Sequence, residues 1–132
     1  ESGNKKYPQL RDVHVAANLM KIWLRSLSEP LVPYPLYNDA LAAGASNNAN
    51  KALKLVQRLP PAYAHTLRHC VALLRELSEN EATTKMSQEN CAMVFSPNLL
   101  RARNNDPMLF ARNQENEQRF LRHLISSALV AW

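Results

Sequence analysis

Apolar residues recur at helical spacing along most of this chain. No proline or glycine interrupts Val13 to Leu27, and Val13, Ala16, Ala17, Met20, Leu24 and Leu27 share one helix face. A second apolar set, Val15, Leu19, Ile22 and Trp23, wraps much of the remaining surface. Together the two sets predict a helix central in a bundle, with Trp23 in the core. One narrow stripe stays polar: His14, Asn18, Lys21, Arg25 and Ser28. Asp12 is suited to cap this helix, and residues 1–11 read as a polar flap.

Pro30, Pro33 and Pro35 end the helix and stiffen a connector. Leu36 to Ala43 is expected as a short helix ended by Gly44, followed by a small-polar loop from Ser46 to Asn50. Lys51 to Leu59 predicts another short helix, with Ala52, Leu53, Val56 and Leu59 inward and Pro60 as its stop. From Pro61 runs the cleanest period in the chain: Tyr63, Leu67, Cys70, Val71, Leu74 and Leu77. Asn80 to Lys85 is expected to be a loop. Ser87 is placed to cap a helix anchored by Cys91, Ala92, Val94 and Phe95, which Pro97 should break. Residues 98–113 read as mostly irregular. Glu115 to Val130 closes the chain as a helix with Leu121, Leu124, Ile125, Ala128 and, in part, Glu117 on its core face. Nothing alternates with period two for long and nothing repeats, so the class is all-α.

A length of 132 residues suits one domain, 1–132, with 12–131 as its helical core. Two glycines are too few for a Gly-rich phosphate loop. Cys70 and Cys91 make no disulfide framework and read as reduced core residues of a cytoplasmic protein. No apolar stretch approaches membrane-spanning length. The net charge of +5 suggests an acidic partner without choosing among nucleic acid, anionic membrane and acidic protein surface. Nucleic acid is disfavoured, because neither a zinc pattern nor an aromatic platform accompanies the charge. His65 and His69 stand four apart but find no third ligand in the pattern, so no metal site is expected.

Two segments say more. One is Asp12 to Pro33, DVHVAANLMKIWLRSLSEPLVP; the other is Lys85 to Arg101, KMSQENCAMVFSPNLLR. In order, separation and register, with Leu59-Pro60-Pro61 and a long helix between them, they resemble the Rho GTPase-activating (RhoGAP) domain family over about residues 12–130. The resemblance implies an N-terminally incomplete RhoGAP-like helical bundle that binds a GTP-loaded small GTPase of the Rho, Rac or Cdc42 type. It implies GTPase-binding roles for Lys21, Arg25 and Asn98. Pro97, Asn90 and Ser96 take supporting positions, and His14 and Arg101 are further candidates at the same surface. No cofactor belongs to the chain itself, since GTP and magnesium come with the partner.

The family's arginine finger stands in a "GIFRxxG"-like motif upstream of the first segment. Arg11 has no such context, so no catalytic residue is assigned. Ser96 replaces the family glycine before Pro97, and Leu27-Ser28-Glu29-Pro30 replaces "LPEP". The resemblance thus implies a GTPase activator once a finger is supplied. The alternative is a catalytically silent module that binds a GTPase, a lipid or another protein. Recruitment to membrane or cytoskeleton stays open, with Arg101, Arg103 and Arg112 as candidates to meet a partner or lipid headgroups.

Overall fold

The computed structural model describes residues 10–103 and 106–127. Among these residues seven helices follow in order: α1 (Leu10–Ser26), α2 (Tyr37–Ala45), α3 (Asn50–Gln57), α4 (Pro61–Glu79), α5 (Glu81–Thr84), α6 (Gln88–Leu99) and α7 (Pro107–Ser126). A 3-10 turn, Tyr34–Leu36, leads into α2. There is no strand among the described residues, in agreement with the all-α expectation.

The hub of the bundle is α7, which packs against α2, α6, α4 and α3. Phe120, Leu121, Leu124 and Ile125 are buried on it and meet Leu67, Val71 and Leu74 of α4 and Phe95 and Leu99 of α6 in one core. Each such side chain contributes roughly 1.5–3 kcal/mol by leaving water. This corrects the prediction that α1 is central. One face of α1 packs on α4, α5 and α6, burying Ala17 and Leu24. The second apolar set lies on the other face: Leu19 is 62% exposed, Ile22 63% and Trp23 48%, and Val15 is exposed as well. Helical periodicity reports how apolar a face is, and the packing partner decides whether that face is covered.

Several boundaries also move. The helix of α1 is already formed at Leu10, so Asp12 lies inside it and the flap boundary at residue 11 shifts; residues 1–9 lie outside the described residues. Gly44 lies inside α2 instead of ending it. Its role is close approach: a Cβ there would stand 2.1 Å from the carbonyl oxygen of Asn116 on α7. In α3 the sequence expectation missed Leu55, which is buried, while Leu53 is only partly so. The expected loop at Asn80–Lys85 contains the single turn of α5, ended by Lys85 in the left-handed region at φ 62°. The expected irregular stretch 98–113 is helical from Pro107, because Asp106 accepts from the Met108 N–H and Pro107 occupies the first turn.

Pro97 does not break α6, which runs on to Leu99. A proline removes one backbone donor, and only two helical residues follow it. The Leu100 N–H still closes on the Ser96 carbonyl at 3.0 Å. The Ser87 cap is present, with its Oγ accepting from the Asn90 N–H at 3.0 Å.

Candidate functional site

The two specific sequence segments meet at the C-terminal ends of α1 and α6. The proline connector after α1 is buried at Leu31 and Val32, and the Val32 N–H donates to the Leu99 carbonyl at 3.1 Å. That bond ties the connector to the last turn of α6. Arg101, just beyond α6, donates through Nη2 to the Leu27 carbonyl at 3.3 Å and so closes the other side of the junction. Leu27 belongs to the last buried turn's worth of apolar pattern, so its carbonyl is available because α1 ends at Ser26.

Between these ties stands Arg25. Its Nε donates to Asn98 Oδ1 at 2.8 Å, while Asn98 Nδ2 donates to the Val94 carbonyl one turn earlier at 3.1 Å. Asn98 is only 2% exposed, and both ends of its amide are used within the chain. Arg25 is exposed, so Asn98 acts in this structure as the bracket that aims an exposed guanidinium. Lys21, one turn back on α1, is half-buried and has no hydrogen bond or ion pair among the described residues. The result is a positively charged edge on α1, rigid at Arg25 and free at Lys21.

The remaining candidates divide. His14 lies at the opposite end of α1, where its Nε2 donates to the Thr84 carbonyl at 3.1 Å, so it anchors α1 to α5. Thr84 is itself buried, and its Oγ1 donates to the Leu77 carbonyl at 2.7 Å. Asn90 contributes its backbone N–H to the Ser87 cap, and its side chain is exposed. Ser96 is fully buried in α6 and its Oγ has no hydrogen-bond partner. Pro97 packs beside Asn98 and lines a hollow of about 350 Å³ together with Tyr37, Arg101, Asp106, Phe110 and Glu117. Arg103 stacks over the Tyr34 ring at 4.9 Å, and Arg112 is exposed.

That hollow holds Glu117, the most perturbed carboxylic acid among the described residues, which the sequence placed only in part on the core face. Glu117 is 2% exposed and accepts from the Tyr37 hydroxyl at 2.5 Å through Oε2, while its Oε1 is buried without a partner. Burial pushes the Glu117 carboxyl up to about 6, and the hydrogen bond from Tyr37 opposes this in part. Burial likewise raises the Tyr37 hydroxyl, followed by the effect of its bond to Glu117. Nothing in the spacing of Tyr37 and Glu117, eighty residues apart, signals the pair.

Other candidates stay structural. Cys70 and Cys91 are free and buried, and burial pushes both thiols up to about 11, which keeps them protonated. His65 and His69 are exposed and stack edge-on at 4.5 Å between ring centroids. No group of three metal-ligating side chains occurs among the described residues. Among them, too, no helix is long and apolar enough to cross a membrane.

Comparison with known proteins agrees with this architecture. The RhoGAP domain matches residues 1–104. The chain is 35% identical over 120 residues to human "Rho GTPase-activating protein 25", covering 86% of this chain and 19% of that protein. It is 33% identical over 127 residues to "GTPase activating protein homolog 3" of Dictyostelium discoideum, covering 95% of this chain and 9% of the relative. The chain therefore spans less than a fifth of the length of these relatives. Among solved structures, human Rho GTPase activating protein 15 superposes with a TM-score of 0.76 at 26% identity, over 92% of this chain and 62% of that one. The BH domain of Graf, the GTPase regulator associated with focal adhesion kinase, shares the fold with a TM-score of 0.70 at 24% identity, over 80% of this chain and 58% of that one. With the family's two signature segments joined at one junction and the family match spanning most of its length, the chain belongs to the RhoGAP domain family.

Proposed function

We propose that this chain binds the GTP-loaded form of a Rho-family small GTPase through the α1–α6 junction and, with an arginine finger supplied, stimulates its GTP hydrolysis. The observation that carries this reading is the Arg25–Asn98 hydrogen bond, which joins the two family segments and holds a guanidinium on an exposed edge beside Lys21. Two cations on a rigid helix end suit the acidic, mobile surface that surrounds a bound nucleotide. Arg25 docks at a fixed angle and Lys21 adapts, because its ammonium is a flexible point charge.

Hydrolysis spreads negative charge over the transferring and leaving oxygens, and an inserted guanidinium neutralises it. Such a finger raises the rate by about 10³–10⁵. Arg25 is bound through Nε to Asn98, so the face described here positions the partner and the finger's charge comes from another part of the protein. The nucleotide and its magnesium belong to the GTPase. The single domain assigned to residues 1–132 is part of the same proposal.

The test is single-turnover GTP hydrolysis by Rho, Rac and Cdc42 proteins, with this chain and with the longest natural protein that contains it. Affinity for each GTPase loaded with GDP and aluminium fluoride is measured alongside. Binding by the chain with acceleration by the longer form supports an activator. Binding without acceleration by either supports the second reading, a catalytically silent GTPase-binding module. Absence of binding to every Rho-family member overturns both.

A further inference from the structure

A second basic site lies at the far end of α6 from Asn98. From Gln88 to Asn98 the helix rises about 15 Å at 1.5 Å per residue. Where α6 begins, Gln88 faces the second half of α7 across an open cleft of about 320 Å³, lined by Gln88, Arg119, Arg122, His123 and Ser126. Every lining residue can donate a hydrogen bond, two are guanidinium groups, and none is acidic. Glu89 and Glu115 are exposed on the same two helices and do not line the cleft.

The cleft is built, since two of its three basic groups are held by backbone carbonyls in the last turn of α2 and just after it. Arg119 donates through Nε to the Gly44 carbonyl at 2.9 Å and through Nη2 to the Ser46 carbonyl at 3.4 Å. His123 donates through Nε2 to the same Ser46 carbonyl at 3.0 Å. These bonds fix two of the three basic side chains before any ligand arrives, which lowers the ordering cost of binding. They also consume only part of the donor capacity of Arg119. Arg122 has no hydrogen bond or ion pair among the described residues, although it is half-buried on the same wall. The hollow beside Tyr37 differs in kind, because Glu117 and Asp106 place two carboxylates in it and would repel an anion.

We propose that this cleft between α6 and α7 binds a phosphomonoester group, with Arg122 as its principal charge contact. A phosphomonoester carries close to two negative charges and three terminal oxygens, which matches two guanidinium forks with an amide and a hydroxyl beside them. A carboxylate would leave several of these donors unused. The site is separate from the Arg25–Asn98 junction, so it stands or falls independently of GTPase binding.

Two probes distinguish the source of the phosphate: soluble inositol 1,4,5-trisphosphate, and vesicles of phosphatidylcholine containing phosphatidylinositol 4,5-bisphosphate. Vesicles with phosphatidylserine at matched charge serve as control. Binding is followed by amide shifts at Gln88, Arg122 and Ser126 and by co-sedimentation. Arg122→Glu is expected to weaken binding at least about tenfold, while Arg122→Lys, which keeps the charge and loses the fork, is expected to weaken it by less than Arg122→Glu does. Lys54→Glu, at an exposed position on α3, is expected to change it less than about twofold. Thermal melting of each variant confirms that it is folded. Binding of the soluble probe alone assigns the site to a free phosphorylated ligand, and binding of both probes assigns it to a lipid headgroup. The proposal is overturned if neither probe moves these amides, if Arg122→Glu binds like the parent, or if Lys54→Glu and matched phosphatidylserine vesicles reproduce the effects.

Discussion

Arg25 on α1 and Asn98 on α6 are joined by a 2.8 Å hydrogen bond across 73 positions of sequence. Each residue depends on the other in a different way. Asn98 is buried and needs its amide satisfied, and Arg25 is exposed and needs its guanidinium aimed. Replacing Asn98 with Ala leaves the Val94 carbonyl without its side-chain donor and frees Arg25 to sample other rotamers. The expected cost in stability is about 1–2 kcal/mol. In a double-mutant cycle on GTPase affinity, Arg25→Ala and Asn98→Ala are expected to couple by at least about 0.5 kcal/mol. Additive losses would show that Asn98 does not act through Arg25.

The Tyr37–Glu117 pair predicts a pH dependence of stability. The folded chain holds the Glu117 carboxyl at about 6, against an ordinary value of 4.5, so the native state binds this proton more tightly than the unfolded chain does. The corresponding stabilisation is complete below pH 4.5 and is lost as the pH rises through about 6. A shift of this size corresponds to about 2 kcal/mol. Urea denaturation at pH 4.5 and pH 7.5 should therefore show Glu117→Gln gaining on the parent at the higher pH. Parallel pH profiles for the two proteins would refute the assignment.

Gly44 is expected to tolerate no side chain. An added Cβ would meet the Asn116 carbonyl oxygen at 2.1 Å and the Phe120 nitrogen at 3.0 Å, and both are backbone atoms of the helix at the hub of the bundle. Its φ is not positive, so the demand is for space and not for an unusual backbone angle. Gly44→Ala should cost at least about 2 kcal/mol in chemical denaturation, in spite of alanine's better helix propensity. A neutral or stabilising result would mean that α2 and α7 can separate freely.

The two apolar faces of α1 should respond differently to substitution. Leu24 is fully buried, and Leu24→Ala is expected to cost about 2–5 kcal/mol. Leu19→Gln and Ile22→Gln, at positions more than 60% exposed, should change the stability of this chain by less than about 0.5 kcal/mol each. Thermal melts of the three variants decide the matter. A large loss at Leu19 or Ile22 would show that this face is covered in solution.

Local chemistry made much of the fold legible. The Ser87 cap, the Pro61 start and the stripe from Leu67 to Leu77 are properties of neighbouring residues, and the structure has all three. Pro97 and the Asp106-Pro107 step depart from the sequence expectation because a proline's effect depends on where in a helix it falls. Near an end it costs one bond, and in the first turn it costs none. The sequence shows that α1 is doubly apolar but not where it sits, since periodicity contains no information about which neighbours arrive.

For the functional junction, sequence alone determined the residue types and the family, through two long segments whose spacing is too specific to be compositional. It placed Lys21 and Arg25 on one polar stripe, because four residues make just over one helical turn. Tertiary structure decided that Asn98 is turned inward onto Arg25, that His14 anchors α5, and that Glu117 is buried against Tyr37. It alone brought Gln88 beside Arg119, Arg122 and His123. The division follows from the range of the forces involved. Helix propensity, capping and periodicity act between residues a few positions apart, whereas burial and side-chain pairing across helices exist only after the chain has closed on itself.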